Sequence, residues 1–362
     1  MQEILLPGII NFLLILTSSY AVFTMVLTWL WWRLPAHSND SNNNDFISVI
    51  IPVRNEAAHI AQLLQDINAQ TLSSSQFEVL VMDDGSTDNT ELIVKQSIDQ
   101  VSIQIKLITL ANQPTTSPKK RAIETAMNHA KGNLIVTTDG DCRVKSGWLE
   151  AILQCYQATG AKLISGPVTF TEEHHFADYL QTVEFASLIG SGASSIAAGY
   201  PSMCNGANLI YEKQAFIEVG GYEGVRHIAS GDDEFLMHKI ANQFPGSVHF
   251  LKNQAHQHWR PFFRQRKRWA SKWKHYQSKT PLVLALYVFS CNFSMLLAGG
   301  LFLAQCIAPT TFLLLLSLKL VPEWFFLGSV LKFLKKSHCI PYIPITQAIY
   351  PLYVCLFGLV AQ

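Results

Sequence analysis

Two acidic side chains one residue apart, Asp139 and Asp141, follow the apolar, β-branched run Leu134-Ile-Val-Thr-Thr. That run reads as a buried parallel strand, and such strands in open α/β sheets deliver the residues at their carboxyl ends to a ligand crevice. Carboxylates flanking one small residue can share a hard divalent cation, Mg2+ or Mn2+, and Gly140 keeps bulk away so that a further anionic oxygen can approach. A diphosphate supplies such oxygens. An acidic turn closing a surface loop explains a lone Asp-x-Asp as well, so the reading rests on what else reaches the same sheet edge.

The elements that must position this pair are legible from hydrophobic period. Short β-branched runs at Phe46 to Pro52, Phe77 to Asp83, Ile103 to Leu110 and Leu134 to Thr138 alternate with helical patterns near 56–70, 88–99 and 119–131. Alternation of that kind predicts an α/β domain built on a doubly wound, mostly parallel sheet. Its strands end in Pro52-Val-Arg-Asn-Glu56, Asp83-Asp-Gly-Ser-Thr-Asp88 and Asp139-Gly-Asp141. No G-x-G-x-x-G follows the first strand, which disfavours a dinucleotide oxidoreductase. A phosphatase with an Asp-x-Asp nucleophile is a closer rival, but such enzymes carry the motif on their first strand and here it follows about the fourth.

The chain has 362 residues, 49% of them hydrophobic, and a formal charge of +1. The balance is uninformative as a total but not in its distribution. Basic residues crowd between Arg260 and Lys279, and acids around 83–91, 139–141 and 232–234. One basic cluster in a near-neutral chain gives no nucleic-acid footprint. The cysteines at 142, 155, 204, 291, 306, 339 and 355 have no framework spacing, which predicts reduced thiols. Ile4 to Trp32 is long enough for a spanning helix. Glu3, the run's length and the lack of a small-residue cleavage site argue for an anchor over a signal peptide. Arg33 then places the next domain on the cytoplasmic side. Three further apolar segments, about Pro281 to Ile307, Thr310 to Leu331 and Ile340 to Val360, are expected to span, with Lys332, Lys335 and Lys336 between the last two. Lys319 and Glu323, four apart around Pro322, are expected to pair at depth, in a span or a shallow re-entrant segment. The expected divisions are an anchor at 1–36, a polar linker at 37–45, an α/β domain at 46–258, an amphipathic interface helix at 259–280 and a membrane region at 281–362.

From Ser48 to about Lys274 the chain resembles the family-2 glycosyltransferases of GT-A fold. Five ordered stretches carry the likeness: Ser48-Val-Ile-Ile-Pro-Val-Arg-Asn-Glu56; Asp83-Asp-Gly-Ser-Thr-Asp88; Lys119 with Ala122-Ile123; Thr138-Asp-Gly-Asp-Cys142; and Gly231-Asp-Asp233 followed by Gln265-x-x-Arg268-Trp269. The last element resembles the membrane-bound, ceramide glucosyltransferase-like branch. The resemblance implies a GT-A domain with one N-terminal and about three C-terminal transmembrane helices, in the bacterial inner membrane with the catalytic domain cytoplasmic.

It also implies roles. Asp83 reads the base; a carboxylate offers only acceptors, so it can take the imide N–H of uracil. Pro52, Arg54 and Glu56 meet the nucleoside, although a helix N-cap with an acidic first turn explains Arg54 and Glu56 too. Lys119 opens a helix where its ammonium and free N–H groups can grip a phosphate, with Lys120 and Arg121 as competitors. Asp139 and Asp141 hold the metal and Asp139 the donor. Gly206 and Gly192 permit close backbone approach. Ser230 can cap a helix whose positive first turn holds Asp232, Asp233 and Glu234. The family pattern makes Asp233 the catalytic base, while Asp232, where the family usually has Glu, leaves its neighbour in contention. Gln265, Arg268 and Trp269 line an acceptor channel. His256 and His258 are metal ligands or, more simply, satisfied polar residues.

These expectations amount to a membrane-anchored, metal-dependent, inverting transferase moving a sugar from a UDP-sugar to a lipid or glycan acceptor among membrane lipids. A processive polysaccharide synthase of the same family, a phosphatase or nucleotidyltransferase, and a non-enzymatic membrane scaffold are the rivals.

Overall fold

A computed structural model describes residues 2–36, 45–110, 115–253, 255–258 and 280–360. Most of the expected linker and nearly all of the interface helix at 259–280, with Gln265, Arg268 and Trp269, lie outside the described residues.

Residues Leu34–Glu172 and Ser195 onward to 258 form one compact unit. Its strands are β1 (Ile47–Val53), β2 (Phe77–Asp83), β3 (Ile105–Thr109), β4 (Leu134–Thr137), β5 (Cys142–Arg143), β6 (Leu163–Ser165), β7 (Val168–Phe170), β8 (Leu209–Glu212), β9 (Val248–Phe250) and β10 (His256–His258). The main sheet runs β3-β2-β1-β4-β8-β6-β9. Every pairing is parallel except the two made by β8, which runs antiparallel to β4 and β6. The doubly wound, mostly parallel expectation is met. A small sheet, β5-β10-β7, sits beside the carboxyl end of β4.

The strands form because β1 and β2 are runs of Ile, Val and Leu that are buried on both faces, as a parallel sheet under helices requires. Helices α2 (Ile60–Asn68), α3 (Thr90–Ile98), α4 (Pro118–Met127) and α5 (Trp148–Thr159) cover it. In α2, Ile60, Leu63, Leu64 and Ile67 recur at helical spacing and are all buried. Pro118 occupies the first turn of α4, where its missing N–H costs nothing, and Gly160 closes α5 at φ +60°. Register puts Val53 beside Asp83 and Ile50 beside Thr137. The acidic ends of β2 and β4 therefore leave the sheet on one side, separated only by β1.

A second, helical unit contains α1 (Gln2–Arg33), the Glu173–Ser194 portion of α6 (Phe176–Ala197), α9 (Thr280–Leu303), α10 (Pro309–Phe333) and α11 (Ile343–Val360). Residues 173–194, assigned from sequence to the α/β segment, cluster here instead. The cause is apolar packing: a Cβ on Gly190 would come 2.7 Å from Val330 and 2.8 Å from Phe326, so α6 and α10 touch through a residue without a side chain. Among the described residues, Leu6–Arg33, Val283–Leu303 and Pro309–Phe333 are long and apolar enough to cross a membrane. The re-entrant alternative at 319–323 does not hold, because α10 is one continuous helix through Pro322, about 37 Å at 1.5 Å per residue. Lys319 and Glu323 are buried and joined at 2.6 Å, and Tyr20 Oη donates to the same Glu323 oxygen at 2.6 Å.

Candidate active site

The turn after β1 and the turn after β2 are stitched together. Asn55 adopts φ +58°, a left-handed conformation that asparagine tolerates, and its Oδ1 accepts the Thr87 N–H at 2.7 Å. Ser86 Oγ accepts the Asn55 N–H at 3.0 Å and itself donates to Asp83. Asp83, at the end of a fully buried strand, is thus held by its own turn, which Ser86 and Thr87 help to build. Glu56 is not a helix cap. The cap position of α2 belongs to His59, and the buried Glu56 side chain lies against the Asp-x-Asp turn. A Cβ on Gly140 would stand 3.1 Å from Glu56 Cγ and 2.9 Å from Val53 Cγ1, so glycine is what lets this turn close onto β1. Pro52 is half-buried in β1, and Arg54 is exposed with its guanidinium 3.7 Å from Asp84.

Helix α4 resolves the competition among its three cations. Consecutive helical residues diverge by about 100°, so they cannot share a target. Lys119 Nζ meets Asp139 at 2.6 Å and Asp232 at 3.3 Å. Arg121 Nη2 donates to buried Asp84 beside the end of β2. Lys120 turns inward, 2% exposed, and donates to main-chain carbonyls of Val225, Ile228 and Ser230. Among the described contacts, it is Lys119 that meets the Asp-x-Asp pair, at Asp139. Burial pulls its ammonium down, but Asp139, Asp232 and Asp233 more than reverse this and hold it above the ordinary lysine range.

The acids after Gly231 open α8 (Asp232–Gln243). The expected cap, Ser230, is displaced by one residue: Gly231 takes the cap position at φ +81°, and the Ser230 carbonyl accepts Lys120. Asp233 Oδ1 accepts the Glu234 N–H at 2.8 Å and Oδ2 the Gly206 N–H at 3.0 Å. The Gly206 carbonyl in turn accepts from Thr137 at the end of β4, at 3.1 Å. Gly206 is therefore the joint between the central strand and α8. A Cβ there would fall 2.9 Å from Asp232 Oδ2 and 3.1 Å from Lys119 Nζ. Sequence inspection flagged this glycine without its partners, which lie on three separate stretches.

Asp141 is buried and Asp139 half-exposed. Burial and the nearby Asp139 and Asp141 charges push the thiol of Cys142 well up. Three carboxylates, those of Asp139, Asp232 and Asp233, act on one ammonium, so the site is net negative with hard oxygen donors. Hard carboxylate oxygens are the donor type a divalent cation takes, while among the described residues the group whose ligand atoms converge within 4.8 Å is Glu173, His338 and Cys339. His256 lies within the small sheet, in β10. It is buried, its Nδ1–H faces the Ala207 carbonyl at 3.2 Å, its ring packs 4.5 Å from Trp148, and burial pushes its pKa down to about 3. The backbone of His258 pairs with that of Cys142.

The order of the sheet, its single antiparallel β8 and the acids gathered at the carboxyl ends of its strands define a GT-A-like α/β fold. Residues 48–220 match the profile of the family described as Glycosyl transferase family 2. The mannosyltransferase PcManGT from Pyrobaculum calidifontis, solved in complex with GDP-Man and Mn2+, has the same fold: TM-score 0.57 at 17% identity, over 96% of this chain and 99% of that one. Glycosyltransferase AglE of Haloferax volcanii is 37% identical over 129 residues, 35% of this chain and 40% of AglE. An undecaprenyl-phosphate 4-deoxy-4-formamido-L-arabinose transferase of Edwardsiella ictaluri is 31% identical over 104 residues, 28% of this chain and 31% of that enzyme. The chain thus spans less than half the length of either curated relative.

Proposed function

We propose that this chain is a membrane-anchored, metal-dependent, inverting glycosyltransferase that moves a sugar from a UDP-sugar to a lipid acceptor at the cytoplasmic face of a membrane. The observation that carries the reading is Lys119 joined to both Asp139 and Asp232, across a glycine that also orients Asp233. Donor-side and acceptor-side acids thereby share one crevice. Asp139 and Asp141 would hold Mg2+ or Mn2+, which when bound offsets charge on the departing diphosphate. Lys119 adds a second positive charge at the same place. Asp83 accepts the uracil imide N–H, with the turn at Pro52, Arg54 and Glu56 beside it. Asp233, its carboxylate aimed by the Gly206 and Glu234 amides, takes the proton of the attacking acceptor hydroxyl, and the sugar inverts in one displacement. The family resemblance assigns Gln265, Arg268 and Trp269, which lie outside the described residues, to the acceptor.

The lipid acceptor is supported by the helices long enough to span and by the likeness to an undecaprenyl-phosphate sugar transferase. The test incubates membranes carrying the protein with radiolabelled nucleotide sugars. The expected result is Mn2+- or Mg2+-dependent label in the organic phase with stoichiometric release of UDP. Label in an insoluble polymer would make the enzyme processive, and release of phosphate or pyrophosphate would end the reading.

A further inference from the structure

Lys120 is the buried cation of α4 that the proposed chemistry does not use. Its Nζ lies 2.8 Å from the Val225 carbonyl, 2.8 Å from that of Ile228 and 3.1 Å from that of Ser230. An ammonium carries three donors around a point, and these three described bonds converge on main-chain oxygens of one short stretch. The rings of Phe235 and Tyr222 stand 5.2 and 6.0 Å away. Ser117, one turn earlier on the same face, donates to the Ile228 carbonyl at 2.9 Å and to that of Arg226. Glu124, one turn later, pairs with Arg226 at 2.9 Å. Every acceptor lies in residues 225–230, a stretch of turns and bends with no ladder of its own, immediately before Gly231 and the acids of α8.

We infer that Lys120 is a positioning residue for the catalytic acids: it fixes the loop that delivers Asp232 and Asp233, while Lys119, its neighbour in the same turn, fixes Asp139. The relation between donor-side and acceptor-side carboxylates is then set by one rigid helix. This rests on the function proposed above, and its test separates the two.

Lys120→Met keeps the aliphatic stem and deletes the donors. The expected result is a loss of about 100-fold in kcat, the scale of a misplaced catalytic group, with the KM for the nucleotide sugar and the calorimetric Kd for UDP with Mn2+ within about threefold of wild type. Added to Asp233→Asn, Lys120→Met should cost almost nothing more, because it acts through that residue. Hydrogen exchange at residues 232–236 should quicken while β1 and β4 stay protected. Ser117→Ala, a milder lesion on the same stretch, should show the same kcat-only pattern at about 5- to 10-fold. Additive losses with Asp233→Asn, or unchanged exchange at the start of α8 in both variants, would overturn the inference. A wild-type protein that binds no nucleotide would overturn the functional reading instead, and the exchange data would still decide the role of Lys120.

Discussion

Two carboxylate clusters, one in each unit of this molecule, have opposite ratios of acid to donor. In the α/β unit one ammonium, Lys119, serves both Asp139 and Asp232, with the charge of Asp233 also acting on it. In the helical unit single carboxylates collect several donors. Glu173 accepts from Lys336 at 3.0 Å, His338 at 2.9 Å and Thr182 at 2.7 Å, and Glu323 accepts from Lys319 and Tyr20. Where acids outnumber donors the field is left open to an incoming cation. Where donors outnumber acids the charge is spent on holding segments together. Exposure follows the same division: Lys119 and Asp139 keep 29% and 26% of their side-chain surface, whereas Glu173 keeps 3%.

That contrast can be broken experimentally. The largest effect is expected at Asp233→Asn, which should lower transfer by about 1,000-fold or more while UDP binding by calorimetry stays near wild type; retained turnover would move the base to Asp232. Next is Lys319→Met, which strands Glu323 inside the helical unit and should cost about 3–5 kcal/mol in detergent unfolding, whereas Lys319→Met with Glu323→Leu should recover most of it. A neutral Lys319→Met would show that this pair fastens nothing. Gly206→Ala should press on Asp232 and Lys119 and reduce kcat by about 10- to 100-fold with little change in melting temperature. The smallest effects are in pH. His256 titrates near 6.5 when unfolded but near 3 when folded, so the unfolded α/β unit binds the extra proton and stability falls as pH drops from 6.5 toward 3. Although burial alone would raise the Glu173 carboxyl, its bonds to Lys336, His338 and Thr182 hold it below 4.5, so the helical unit loses that contribution only at pH below the ordinary glutamate range. His256→Gln and Glu173→Gln should each flatten the unfolding profile of one window and not the other.

Much of the site was legible because parallel strands announce themselves. Runs such as Val79 to Met82 are buried on both faces, and the chain must turn where they stop, so Asp83 and Asp139 could be placed at one sheet edge from spacing alone. Directions were less legible. Nothing in Lys119-Lys120-Arg121 says which cation faces which acid until the phase of α4 is known. Glu56 looked like a helix acid because the onset of α2, at Ile60, is not marked by a capping side chain. The Ser230 assignment missed by one residue because Gly231 reaches a left-handed conformation that a serine avoids. That residues 173–194 cluster with the helical unit was not legible, because an apolar pattern does not reveal which neighbour will cover it.

The fan of cations at the start of α4 makes the length of this segment as important as its composition. Adding or removing one residue ahead of Lys119 would rotate each side chain by about 100° against the acids it now meets. The same three letters would then be present with every address wrong. Natural variation should therefore be freer in the identity of residues 115 and 116 than in their number.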